Sequence, residues 1–315
     1  MAAITAQLVK ELRELTGVGM MDCKKALVEC NGDKDAAIDW LREKGLAAQT
    51  KKASKIASEG VSLAIVTDAG VGVVLECNSQ TDFVAKNATF QEFVRECAIA
   101  VAEQNPADVE ALKAATYPGT DRTVDAVTAD KVLAIGENLQ LRRFVRYDTG
   151  LNIPYVHMNG KIGVLVNLEV SDNLKDNAGV IELGKDLAMQ IAAMSPSYVS
   201  SDDVPADEVE KEKAVQLAKA LEENAANTKM PEEKKQMIAE KKVAGRMNNF
   251  FAEVCLLNQQ FVKESKQTVD QHIKAVAKEL GGDIKVVKFT RFETGEGLEK
   301  KEEDFAAEVA SMIGG

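Results

Sequence analysis

The groups in this 315-residue chain that could do chemistry are two histidines, five cysteines and a dense population of carboxylates. His157 and His272 lie far apart, and Cys23, Cys30, Cys77, Cys97 and Cys255 include no C-x-x-C pair, so no zinc-ligand spacing is present. An odd, scattered set of thiols reads as reduced cysteines, several on apolar faces, in a reducing compartment. Paired acids occur along helical stretches, where a solvated face explains them better than general acid–base work. "GVGMMDCKK" has glycines and lysines without the G-x-x-x-x-G-K-[ST] spacing of a phosphate cradle, and it follows a helix rather than a strand. Neither G-x-S-x-G nor H-E-x-x-H occurs. The expectation is a protein that is not an enzyme and uses no cofactor or metal. One stretch still demands an account. In "NSQTDFVAKN" (78–87) a large aromatic, Phe83, stands beside a carboxylate, Asp82, where a β-branched strand gives way to a helix. Thr81 or Asp82 capping the helix, with Phe83 in line with Phe90, is the reading that pattern alone favours. The other reading is an aromatic aimed at a partner.

Bulk properties narrow the partner. The net charge is −11, which argues against duplex DNA or a phospholipid surface, both of which select basic faces. A protein partner is expected, with no direct nucleic acid and no membrane. The N-terminus lacks a charged segment followed by an apolar block, and no run approaches about 18 apolar residues. A cytoplasmic protein is therefore expected.

The elements that must position these residues follow from periodicity. Ile4, Leu8, Leu12 and Leu15 recur at helical spacing behind Thr5, a candidate N-cap. "MMDCKKALVEC" is a second helix that stops at Asn31-Gly32, and "KDAAIDWLREKGL" a third, with Gly45 as its C-cap. Residues 1–46 thus form a three-helix module, and the Ala/Lys/Ser-rich stretch 47–59 reads as a linker. The remainder is duplicated. Residues 123–150 and 268–295 align without a gap, and their endings, "RFVRYDTG" and "KFTRFETG", are near-copies. Upstream of each lies a hairpin, turning at Asp68-Ala69-Gly70 in one copy and at Asn159-Gly160 in the other. A helix then follows and ends at a proline. The copies are residues 60–150 and 151–299, the second interrupted at 206–253 by charged helical runs flanking "AANTKM". Sparse apolar residues and alternating Lys/Glu predict a projecting antiparallel helical hairpin, coiled-coil-like. The second copy is thereby split into 151–205 and 254–299, and 300–315 reads as a C-terminal helical segment. The predicted class is α+β: an N-terminal three-helix bundle, duplicated antiparallel three-stranded sheets each covered by helices, and an inserted helical hairpin.

Two segments, "LVKELRELTGVGMMDCKKAL" (8–27) and "ECNSQTDFVAKN" (76–87), resemble the signature segments of elongation factor Ts, the nucleotide exchange factor of the GTPase elongation factor Tu. "IGENLQLRRF", "GKIGVLV", "GRMNNFF" and "RFETGEGLEK" are similar to further family segments in the same order, so the likeness spans nearly the whole chain. The resemblance implies a ubiquitin-associated-like first module and elongation factor Tu as the partner. It implies that Thr81, Asp82, Phe83 and Val84 enter the partner beside its nucleotide and disturb the Mg2+ site, so that GDP leaves and GTP replaces it. It also reverses the reading of Phe83 from core to contact. Met20 and Met21, which pattern leaves equally open as bundle core or docking residues, become docking candidates. Cys23 and Lys24 remain structural and solvated. His157 takes the place of a family contact histidine with one more residue in the following turn, and from pattern alone is equally an ordinary imidazole. Two readings compete with exchange: a scaffold that docks a partner through the three-helix module without touching its nucleotide, and a hydrolase concealed between the repeats, for which no nucleophile motif speaks.

Overall fold

The computed structural model describes residues 4–225 and 231–299. Residues 226–230, which make up most of "AANTKM", and the segment 300–315 read above as helical lie outside the described residues.

The chain opens with α1 (Ala6–Thr16), α2 (Met20–Glu29) and α3 (Lys34–Lys52). Thr5 caps α1 by accepting the Leu8 amide, and Asp33 caps α3 through the Ala36 amide. Their shared core is small: Val9, Leu12, Cys23, Ala26, Leu27, Ala37 and Leu41. Gly45 is not the end of α3. The helix runs on through Lys52, into the stretch read as a linker, because Gly45 lies against another backbone. A Cβ there would stand 3.0 Å from the Ala129 carbonyl oxygen, so glycine lets α3 cross closely over the later helix α7 (Val124–Ile135).

The first sheet pairs β1 (Glu59–Val66), β2 (Gly72–Ser79) and β3 (Gln140–Tyr147), all antiparallel, with β2 central and buried along its whole length. Between β2 and β3 come α4 (Asp82–Ala85), α5 (Ala88–Gln104), α6 (Val109–Ala114) and α7 (Val124–Ile135). Phe90, Phe93, Val94, Cys97 and Val101 of α5 pack with Val73, Leu75 and Cys77 of β2 to form the core. The second sheet takes β4 (Leu151–His157), β5 (Ile162–Val170) and β8 (Ile284–Glu293), in that order. Its helices are α8 (Ala178–Met194) and α11 (Val269–Leu280). The inserted arm is α9 (Ala206–Ala225) running back along α10 (Glu232–Val254), joined by Lys242 and Arg246 to Glu223. A small hairpin, β6 (Gln260–Phe261) with β7 (Glu264–Thr268), precedes α11 and had no counterpart in the sequence reading.

The duplication is legible down to the caps. α5 and α8 each have 17 residues, an asparagine N-cap (Asn87, Asn177) and a left-handed C-terminal residue (Asn105, Ser195) just before proline. α7 and α11 each have 12 residues between a threonine cap and a left-handed glycine. The chain divides into two compact units. One takes the chain up to Tyr147 with Val156–Gly163 and the residues from Phe292 on; the other takes Asp148–Tyr155 and Val164–Arg291. Every sequence-predicted site residue falls in the first.

Candidate functional site

Several exposed apolar residues of the first unit, Met20, Phe83 and Met158 among them, stand at or next to the ends of elements. β2 leaves the core at Ser79, and the chain turns through Gln80 into Thr81. There it meets the carboxylate of Glu137, which lies just beyond Gly136, the left-handed C-cap of α7. Glu137 accepts the Gln80 amide at 3.0 Å, the Thr81 amide at 3.1 Å and the Thr81 hydroxyl at 2.7 Å. Thr81 Oγ1 in turn accepts the Val84 amide and caps α4. α4 is a single turn, because Asn87 adopts extended geometry and starts α5 by accepting the Thr89 and Phe90 amides. Phe83 and Phe90 therefore sit on two helices, not on one face of a single helix. Val84 and Ala85 point into the core, while Phe83 is 81% exposed. Asp82 pairs with Lys86 at 2.6 Å; that hydrogen bond, helped by the charge of Lys161, holds its carboxyl below the usual range.

Lys161 belongs to the second element of the site, the turn between β4 and β5. Met158, Asn159 and Gly160 all take positive φ there. Gly160, at φ +96°, presses on Val61 of β1 so closely that a Cβ would come within 2.6 Å of a valine methyl. Thr294 holds the turn from the other side: its hydroxyl donates to the Gly160 carbonyl at 2.7 Å and its amide to that of Lys161 at 2.9 Å. Lys161 pairs with Glu59 at 2.7 Å. His157, half-buried, ends β4, and Met158 beside it is exposed. α4 and this turn both lie against β1. A groove of about 450 Å³ runs between the turn and the start of α5, lined by Val61, Leu63, Ala88, Gln91, Arg95 and Asn159.

The residues from Glu293 to Gly297 that supply Thr294 are anchored by a buried ion network. Glu76 of β2 has no exposed surface. One carboxylate oxygen accepts from Arg142 at 2.9 Å, Asn78 at 3.0 Å and the Gly295 amide at 2.8 Å, the other from Arg143 at 2.6 Å. Burial alone would raise its pKa, but the Gly295 amide, Asn78 and the two guanidinium groups outweigh burial and lower it.

Met20 and Met21 start α2 and are 50% and 77% exposed, while the bundle core is filled by Cys23, Ala26 and Leu27. The bundle-core alternative for the two methionines is thus excluded by their exposure. Cys23 is buried with its thiol toward the Val18 carbonyl, and Lys24 is exposed. The structure brings Thr81–Val84 and the His157 turn to one strand, β1, and places the methionines on the bundle. Glu137, Glu76 and Met158 were absent from the sequence reading. Glu137 carried one local signal, a carboxylate directly after a helix-ending glycine. Among the described residues no cluster of histidine, cysteine or acid side chains could hold a metal, and no helix is long and apolar enough to cross a membrane.

The family model of elongation factor Ts matches residues 80–296. The chain is 49% identical to elongation factor Ts of Syntrophotalea carbinolica over 311 residues, covering 98% of this chain and 99% of that protein. It is 47% identical to elongation factor Ts of Clostridioides difficile over 315 residues, covering 99% and 100% of the two chains. Against elongation factor Ts of Magnetococcus marinus the figure is 45% over 315 residues, with the same coverage.

Proposed function

The chain belongs to the elongation factor Ts family, and on that premise we propose that it binds the GDP form of elongation factor Tu and promotes release of GDP. The family makes it a translation elongation factor. It makes and breaks no bond with its own groups; its work is to shift the partner between conformations.

The observation that carries this reading is Phe83, an aromatic left four-fifths exposed on a turn whose other apolar residues are buried. Leaving a phenylalanine in water forgoes roughly 2–3 kcal/mol of burial, which insertion into a partner recovers. Bound GDP depends on a Mg2+ shell of hard oxygen ligands and on ordered backbone amides. An aromatic wedged beside those elements displaces them, and the diphosphate loses charge compensation. Exchange is then linkage: factor and nucleotide weaken each other's hold reciprocally, and incoming GTP displaces the factor. Thr81 and Val84 anchor the turn that presents Phe83. Asp82, paired to Lys86, offers a carboxylate at the same tip. Met20 and Met21 give the bundle a polarizable apolar surface for docking, and His157 with its turn forms a further contact.

The test is release of a fluorescent GDP analogue from elongation factor Tu in excess unlabelled GDP. Acceleration that saturates with added protein supports exchange. Binding without acceleration leaves a scaffold that docks through the three-helix module.

A further inference from the structure

Glu137 is a half-buried carboxylate with three donors converging on it, all from the two residues before the exposed Phe83 turn. The loop that carries it is gripped on its other side by the end of α3 and the residues that follow it. Lys52, the last residue of α3, donates to the Gly136 carbonyl, and Asn138, itself buried, donates to the Lys55 carbonyl at 2.9 Å. Further along the same pair of helices, Gln49 donates to Asp125 at 2.9 Å and Gly45 packs on Ala129. One loop, Gly136-Glu137-Asn138, thus ties the helix that ends the methionine-bearing bundle to the cap of the helix that presents Phe83. Core packing does not require this. The core is already closed beneath α4 by Val84 and Ala85, and the Thr81 cap of α4 needs only the threonine itself.

We propose that Glu137 is a positioning residue for nucleotide exchange: it fixes the angle at which Phe83 leaves the surface relative to the docking bundle. The inference rests on the exchange reading above. Without the carboxylate, α4 keeps its cap but loses three charge-assisted hydrogen bonds at its root. Phe83 then samples several directions, and few of them match a single slot in the partner. Docking affinity is set largely elsewhere, so the loss falls on the rate at saturation rather than on the concentration needed to reach it.

The experiment measures GDP-analogue release from elongation factor Tu against concentration of wild type, Glu137→Gln, Phe83→Ala and the double variant, with melting curves for each. Expected is a saturating rate lowered roughly fivefold or more by Glu137→Gln with half-saturation changed by less than about twofold. In the Phe83→Ala background the same change is expected to have no further effect, because both act through one side chain. A wild-type rate in Glu137→Gln, or an equal drop with and without Phe83, overturns the proposal. If Glu137→Gln does not fold, Glu137→Asp, which retracts the carboxylate by one methylene, replaces it: a lowered saturating rate supports the brace and a wild-type rate overturns it. No acceleration by the wild-type protein overturns the exchange reading itself, a separate failure.

Discussion

Phe83 and Phe90 are seven residues apart and occupy opposite environments, the first 81% exposed and the second fully buried against β2. Asn87 separates them by ending one helical turn and capping the next helix. Phe90→Ala is expected to cost roughly 3–5 kcal/mol of stability, and Phe83→Ala less than about 0.5. Urea unfolding of the two variants measures both; a similar loss from each would mean that Phe83 is part of the core.

Glu76 links the Phe83-bearing repeat to the loop at Gly295. Glu76→Gln removes a buried negative charge from between Arg142 and Arg143, and is expected to destabilise by about 3 kcal/mol at neutral pH. The folded protein holds the Glu76 pKa below its unfolded value of 4.5. Its contribution is therefore fully present above pH 4.5 and is lost as pH falls through the lower, folded value. Unfolding free energies of wild type and Glu76→Gln should differ by a constant amount from pH 6 to 8 and converge in acid. A gap that widens below pH 4.5 would refute the assignment.

Met20 and Met21 lie outside the bundle core. The double change to alanine is expected to leave the melting temperature within about 2 °C of wild type. It should raise the half-saturating concentration in nucleotide release about threefold or more without lowering the maximal rate. Unchanged half-saturation would remove the bundle tip from the docking surface.

Four of the five thiols are buried, and burial raises the pKa of each, Cys255 to about 11. Cys30 is partly exposed, though burial and then Asp33 and Glu29 raise its pKa too. A bulky thiol reagent at pH 8 is expected to modify Cys30 slowly in the native protein and the other four only after unfolding. Rapid labelling of Cys77 or Cys97 would mean that the sheet–helix core opens.

Much of the fold was legible because it rests on local chemistry repeated twice. Thr123 and Thr268, Gly136 and Gly281, and the prolines after α5 and α8 mark element ends that need no tertiary information. The Thr81–Val84 segment was legible as a resemblance, whereas pattern alone favoured a buried Phe83. Gly45 was misread because a glycine late in a helical pattern looks the same whether it stops the helix or admits another backbone; only Ala129, distant in sequence, decides. The β6–β7 hairpin is too short and too polar to alternate. Glu137 acts across 56 residues on backbone amides, and an amide leaves no side-chain signature in sequence.

On the proposed reading, Phe83 acts on the partner's nucleotide site rather than on this protein's own stability. The most direct measurement is the maximal rate of GDP-analogue release from elongation factor Tu at saturating Phe83→Ala, with complex formation checked in parallel. Expected are a complex that still forms and a maximal rate at least tenfold below wild type. A folded Phe83→Ala variant that drives release at the wild-type rate would contradict it.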